Sequence, residues 1–93
     1  MLGDRIKLLR KARGLNQVEL ADKLKVSKQA VSNWENNNIL PSIEILIRIA
    51  TFFGVSTDYL LGLDSRTYLE ITKLSLEEIS HLQQIINDIA RKK

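Results

Sequence analysis

Residues 16–36, NQVELADKLKVSKQAVSNWEN, contain two short helical patterns separated by only two residues. The first pattern opens at Asn16, which forms a capping-box pattern with Glu19. This pattern continues to about Lys25. The second pattern opens at Ser27 as its cap and continues to about Asn36. So short a link forces a sharp turn, after which the two helices pack together. The side chains placed to join them are Leu20, Ala21, Leu24, Val26, Val31 and Trp34.

Helical periodicity continues on both sides of this unit, and strand-like alternation is nearly absent. We expect a first helix over residues 3–13, a fourth helix over residues 43–53 and a short fifth helix that ends before Gly62. The fourth helix is apolar nearly all round, which is typical of a helix at the centre of a core. The sequence therefore predicts an all-α fold.

Composition argues against several classes of function. Cysteine is absent, which rules out disulfides, thiolate metal sites and cysteine nucleophiles. No apolar run approaches the roughly 18 residues of a membrane span. The chain has one histidine, no glycine-rich phosphate loop and no metal-ligand pattern, so we expect neither an enzyme nor a cofactor or metal site. We expect a soluble cytoplasmic protein that does not associate with membranes.

The net charge of +3 is unevenly distributed along the chain. Residues 1–25 carry seven basic and three acidic side chains, residues 26–63 carry two and three, and residues 64–93 carry five of each. A basic segment is the expected footprint of contact with nucleic-acid phosphates. Lysine and arginine on a solvated helix face give the same pattern, so charge alone leaves both interpretations open.

A series of ordered residue matches extends over residues 3–62. The matching positions are Ile6-x-x-Leu9-Arg10, Gly14-Leu15-Asn16-Gln17-x-Glu19-Leu20-Ala21, Val26-Ser27-x-x-x-Val31-Ser32-x-Trp34-Glu35, Pro41-Ser42-Ile43-x-x-Leu46 and Ala50-x-x-Phe53-Gly54-Val55-Ser56-x-Asp58-Tyr59-Leu60-Leu61-Gly62. This pattern resembles the DNA-binding domain of the lambdoid phage repressor and Cro family, also called the xenobiotic-response-element family. The resemblance implies a five-helix, repressor-like helix-turn-helix domain over residues 1–63. It also implies a transcriptional regulator, with repression as the expected mode, that binds double-stranded DNA in the major groove.

The third helix carries the side chains that the resemblance assigns to reading bases. They are Lys28, Gln29, Ser32 and Asn33. Gln and Asn can bind adenine through two hydrogen bonds, and Lys can reach O6 and N7 of guanine. Polar residues also face water on any surface helix, and Ser32 could contact phosphate instead.

Phosphate contacts are expected around the same helix pair. Gln17 opens the second helix, where backbone N–H groups and the helix dipole favour an anion. Further candidates are Arg13, Asn36 and Asn38. The resemblance pairs Arg10 with Glu35, and Arg10 could instead touch phosphate, so the sequence leaves both roles open.

Two positions in the loops depart from the pattern of the family. Lys25 stands where the family often has Gly or Asn, because the backbone there tends toward positive φ. A lysine in that conformation costs about 1 kcal/mol. Asn37 stands where Gly is usual, and Asn tolerates the left-handed region.

The last part of the chain divides into a linker over residues 64–74 and a helical element over residues 75–93. In the linker, Tyr68, Leu69, Ile71 and Leu74 could form a short strand, a helical turn or a packed connection. A capping box at Ser75 opens a final amphipathic helix. Its apolar stripe consists of Ile79, Leu82, Ile86 and Ile89.

Two heptads are too few for a free-standing coiled coil, so this stripe must pack on something. The helix could fold back on the domain or pair with its twin. We expect a homodimer, because a two-fold symmetric operator favours a two-fold symmetric protein. An alternative function is that of an antitoxin or adaptor, whose main role is to bind a protein partner through residues 75–91.

Overall fold

The computed structural model describes residues 2–66 and 71–92, which contain six α-helices and no strand. The helices are α1 (Leu2–Ala12), α2 (Gln17–Leu24), α3 (Lys28–Glu35), α4 (Ile43–Phe53), α5 (Thr57–Leu60) and α6 (Leu76–Arg91). The all-α prediction is confirmed, with helix ends that shift by about one residue. None of the described helices combines the length and the apolar character that crossing a bilayer requires.

Side-chain caps explain where five of these helices begin. Asn16, Ser27, Ser42, Ser56 and Ser75 have extended backbones, and each side chain accepts a hydrogen bond from the backbone N–H three residues later. Both predicted capping boxes are present, at the starts of α2 and α6. Such caps satisfy N–H groups that a helix cannot bond internally. Local sequence therefore sets the helix starts.

Helices α1 to α5 surround one apolar core. Its fully buried side chains are Ile6, Leu20, Leu24, Val31, Ile49 and Leu60. Helices α2 and α3 pack directly on each other across the three-residue turn 25–27, as the short link predicted. This packing turns the opposite side of α3 toward solvent.

The start of α1 approaches the end of α3 closely at Gly3. A Cβ atom there would collide with the carbonyl oxygen of Trp34. The backbone N–H of Gly3 donates a hydrogen bond of 3.1 Å to Oδ1 of Asn37, whose φ is +58°. Asn37 therefore adopts the left-handed backbone that was expected and also caps α1, a contact that the sequence did not indicate.

The expectation that α4 lies at the centre of the core holds only in part. Only Ile49, Ala50 and Phe53 are buried, whereas Ile43 is 79% exposed and Ile47 is 54% exposed. The reason is geometric, because α4 packs mainly against α2 and α5, which cover one side of it. The apolar composition of α4 therefore predicted more burial than the structure has.

Helix α6 lies outside the apolar core. None of its residues is buried, and the core cluster contains residues of α1 to α5 only. Ile79 and Leu82 are half-buried, and Ile86 and Ile89 are exposed. The described part of the preceding linker, residues 64–66 and 71–74, contains neither helix nor strand, while Tyr68 and Leu69 lie outside the described residues.

The turn between α2 and α3 contains the left-handed residue that was expected. Lys25 has φ +61° and ψ +43°, and its N–H bonds the carbonyls of Ala21 and Asp22. Arg48 of α4 donates from Nη1 to the carbonyl oxygen of Leu24 at 2.8 Å, which satisfies another carbonyl at the end of α2. The turn thus contains both a strained residue and a long-range cap.

Replacing Lys25 with glycine relieves the left-handed strain, so we expect Lys25→Gly to change the free energy of unfolding by between 0 and about +1 kcal/mol. The matched control is Lys23→Gly inside α2, which should destabilise by about 1 kcal/mol. Urea denaturation of both variants measures the difference. Equal destabilisation by the two substitutions would contradict the assigned turn geometry.

Candidate nucleic-acid interface

The outward face of α3 gathers the four residues expected to read bases. Val31 and Trp34 point into the core, as their burial shows. On the other side, two side chains are exposed and two are half-buried: Lys28, Gln29, Ser32 and Asn33. Their positions form one polar surface, which is the arrangement that base reading from a major groove requires.

Two hydrogen bonds link polar side chains four residues apart along this surface. Nε2 of Gln29 donates to Oδ1 of Asn33 at 3.1 Å. Nδ2 of Asn36 donates to Oγ of Ser32 at 3.4 Å. Spacing of four on a helix brings side chains together, so the sequence contained this signal although only the structure assigns the donors.

The loop after α3 folds back onto the end of that helix. The backbone N–H of Asn38 donates to the carbonyl of Asn33 at 2.9 Å. Asn36 and Asn38 remain exposed beside the polar surface. Both predicted phosphate contacts in this loop therefore lie next to the helix that carries the base-reading candidates.

A buried ion pair joins the end of α3 to α1. Nε of Arg10 lies 2.7 Å from Oε2 of Glu35, and its Nη2 donates to Oε1 at 3.0 Å. The two side chains are only 10% and 2% exposed. The hydrogen bonds from the guanidinium to Glu35 raise the pKa of Arg10 above its normal value, so Arg10 keeps its charge wherever the fold persists.

The guanidinium of Arg10 has partners on all three nitrogens. Its Nη1 donates to the carbonyl oxygen of Leu15 at 2.8 Å. The side chain is buried and each of its three nitrogens already has a partner, which supports the ion-pair role of Arg10. A phosphate contact of Arg10 stays a prediction.

Gln17 joins the same carboxylate. Its Nε2 donates to Oε1 of Glu35 at 3.1 Å, which ties the first residue of α2 to the end of α3. Glu35 thus bonds residues of both α1 and α2. No spacing rule links positions 17 and 35, so sequence reasoning missed this contact.

Arg13 lies against α4. Its guanidinium carbon is 5.4 Å from the ring centre of Phe52 and 5.6 Å from that of Phe53. Arg13 is exposed and its contacts are with Phe52 and Phe53 of α4, so a phosphate contact stays a prediction. In residues 2–66 and 71–92, no cluster of three acidic or histidine side chains could hold a metal ion.

Removing one member of the buried pair should destabilise the fold strongly. We expect Glu35→Gln to lower the free energy of unfolding by about 3–5 kcal/mol, because the buried charge of Arg10 loses its counter-ion. The control is Glu44→Gln, which affects an 85% exposed partner of Arg48 and should cost less than about 0.5 kcal/mol. Urea denaturation measures both, and a Glu35 variant as stable as the control would refute the burial of the pair.

Comparison with known proteins shows what the chain is similar to. A family model described as helix-turn-helix matches residues 6–60. The HTH-type transcriptional regulator ImmR of Bacillus subtilis is 34% identical over 87 residues, which are 94% of this chain and 68% of ImmR. Eight curated relatives include repressors and one activator, and the chain spans between 25% and 70% of their lengths.

The chain also resembles solved structures. The P22 c2 repressor protein, crystallised with a synthetic operator, superposes with a TM-score of 0.65 at 34% identity, covering 69% of this chain and 97% of that one. A complex of the SinR and SinI proteins gives a TM-score of 0.65 at 30% identity, covering 95% of this chain and 81% of the matched chain. The first likeness concerns about two-thirds of this chain, and the second concerns nearly all of it.

Proposed function

The chain belongs to the helix-turn-helix family, and on that premise we propose that it is a transcriptional repressor that binds a two-fold symmetric DNA operator as a homodimer. Residues 1–63 form the DNA-binding domain, residues 64–74 a linker and residues 75–93 the dimerisation element. The P22 c2 repressor, whose fold the chain shares, binds an operator. We propose no catalytic role, and we place the protein in the cytoplasm, where it can reach DNA.

The outward polar surface of α3 is the observation that carries this proposal. Lys28 and Gln29 stand at the first two positions of α3 and are exposed. The N-terminal part of such a helix reaches base edges in the major groove. In this proposal Lys28 binds guanine, and Ser32 contacts either a base or a phosphate. Asn33 lies one helical turn after Gln29.

Phosphate contacts position α3 on the duplex. Gln17 uses one N–H on Glu35 and keeps a second N–H, at a helix start where the dipole attracts anions. Asn36 and Asn38 offer exposed amides on the other side of α3. Arg13 and the basic residues of α1 add long-range attraction to the DNA backbone.

The apolar stripe of α6 forms the homodimer interface in this proposal. The stripe consists of Ile79, Leu82, Ile86 and Ile89, and none of these residues is buried within one chain. Pairing with a second α6 removes this apolar surface from water. A dimer places its two α3 helices on half-sites whose centres are about 10–11 bp apart or a multiple of that spacing.

A second function uses the same stripe differently. A solved structure that the chain resembles over nearly its full length is a complex of the SinR and SinI proteins. By analogy, residues 75–91 could bind a heterologous protein, with the chain serving as an antitoxin or adaptor. The exposure of α6 supports this alternative as well as the homodimer, so the two need separate tests.

DNA binding is tested with a duplex selected from random sequence by the full chain. We expect Lys28→Ala and Gln29→Ala each to weaken binding to the selected duplex roughly tenfold to hundredfold, because each removes a base contact. The control is Lys73→Ala, an exposed lysine outside the domain, which should change the Kd by less than about threefold. Unchanged affinities of both α3 variants would contradict the proposal.

Dimerisation is tested by placing a charge on the stripe. We expect Ile86→Asp to convert a dimer into a monomer in sedimentation equilibrium, since a buried, unpaired carboxylate is costly. Gln84→Asp, which adds the same charge on the opposite, exposed face of α6, should leave the dimer intact. A wild-type chain that is monomeric alone, and that forms a stoichiometric complex with a different protein through α6, would support the alternative instead.

A further inference from the structure

The hydrogen bond between Gln29 and Asn33 links two of the four side chains on the polar surface of α3. Nε2 of Gln29 donates and Oδ1 of Asn33 accepts, at 3.1 Å. Gln29 is exposed, whereas Asn33 is half-buried. The backbone carbonyl of Asn33 accepts hydrogen bonds from the N–H groups of Asn38 and Ile39, so the loop after α3 holds the backbone of Asn33 in place.

This bond decides which groups Gln29 can still offer. A glutamine amide has two N–H donors and one carbonyl acceptor. Since Asn33 takes one donor, Gln29 keeps one N–H and the free oxygen Oε1. The exposed end of Gln29 is therefore one donor beside one acceptor.

The edges of the purines in the major groove differ in this respect. Adenine presents the acceptor N7 beside the donor N6, while guanine presents two acceptors, N7 and O6. One donor beside one acceptor matches adenine with two hydrogen bonds. Guanine would need two donors from Gln29, and one of them is engaged by Asn33.

We propose that Gln29 reads an adenine in each half-site, and that Asn33 is the positioning residue that sets this preference by accepting from Gln29. This inference rests on the proposed DNA binding and adds the identity of one base. Were the bond reversed, with Asn33 donating to Oε1, Gln29 would present two donors and would select guanine. The base chosen at this position thus reports the direction of the bond.

A purely structural role is the competing explanation, because Gln and Asn four residues apart also stabilise helices. The chain provides a matched control for it. In α6, Nε2 of Gln83 donates to Oδ1 of Asn87 at 2.9 Å, with the same spacing and direction. Asn87→Ala removes an equivalent bond far along the chain from α3.

The experiment uses the full chain and the duplex that it selects from random DNA. The position read by Gln29 is the one whose preference disappears in Gln29→Ala. Fluorescence anisotropy at fixed salt then compares adenine, guanine and 7-deazaadenine, which lacks the N7 acceptor, at that position. We expect wild type to prefer adenine over guanine by roughly tenfold to hundredfold, and to lose at least about fivefold in affinity with 7-deazaadenine.

The Asn33 variants separate positioning from general contact with DNA. Asn33→Ala frees the second donor of Gln29, so the ratio of the Kd for guanine to the Kd for adenine should fall toward one. Asn33→Asp keeps only acceptors, so the ratio should stay near that of wild type even though repulsion from phosphate lowers overall affinity. Asn87→Ala should leave this ratio unchanged.

The following outcomes would overturn the inference. Selection of guanine at the position of Gln29, an unchanged ratio in Asn33→Ala or a lost ratio in Asn33→Asp would each refute it, while the proposed DNA binding would stand. Failure of the chain to select any sequence would overturn the proposed function and this inference together.

Discussion

The buried ion pair between Arg10 and Glu35 is the interaction on which the geometry of the polar surface depends. Both side chains are almost fully excluded from water, and the guanidinium binds the carboxylate through two nitrogens. Gln17 adds a third hydrogen bond to the same carboxylate. One acidic side chain near the end of α3 thus fixes that helix against α1 and against the start of α2.

Burial of charge is a poor source of stability, because the cost of removing ions from water offsets their attraction. In this protein the ion pair contributes a fixed orientation of α3 relative to α1. An apolar contact between α1 and α3 would tolerate small rotations, whereas a two-nitrogen pair holds one relative orientation. Because base reading requires side chains placed within a fraction of an ångström, a fixed orientation of α3 matters more than extra stability.

The sequence predicted the features that depend on nearby residues. Caps such as Asn16 and Ser27 follow from local chemistry, and the structure has them. The left-handed turn at Lys25 is also present, but it was expected from the family resemblance. The Arg10 to Glu35 pair came from family resemblance, not from spacing. The bonds of Gln17 to Glu35 and of Arg48 to Leu24 were missed, because residues 18 and 24 positions apart share no local pattern. Exposure of Ile43 was also missed, since composition does not reveal which face of a helix its neighbours cover.

The central claim is that the outward surface of α3 contacts the bases of DNA. It is tested most directly by nuclear magnetic resonance of the isotope-labelled chain bound to its selected operator. The account predicts cross-relaxation between the side-chain protons of Lys28 and Gln29 and base protons in the major groove. A complex whose DNA contacts lie on α6 or on the outer face of α4, with the side chains of α3 unaffected, would contradict it.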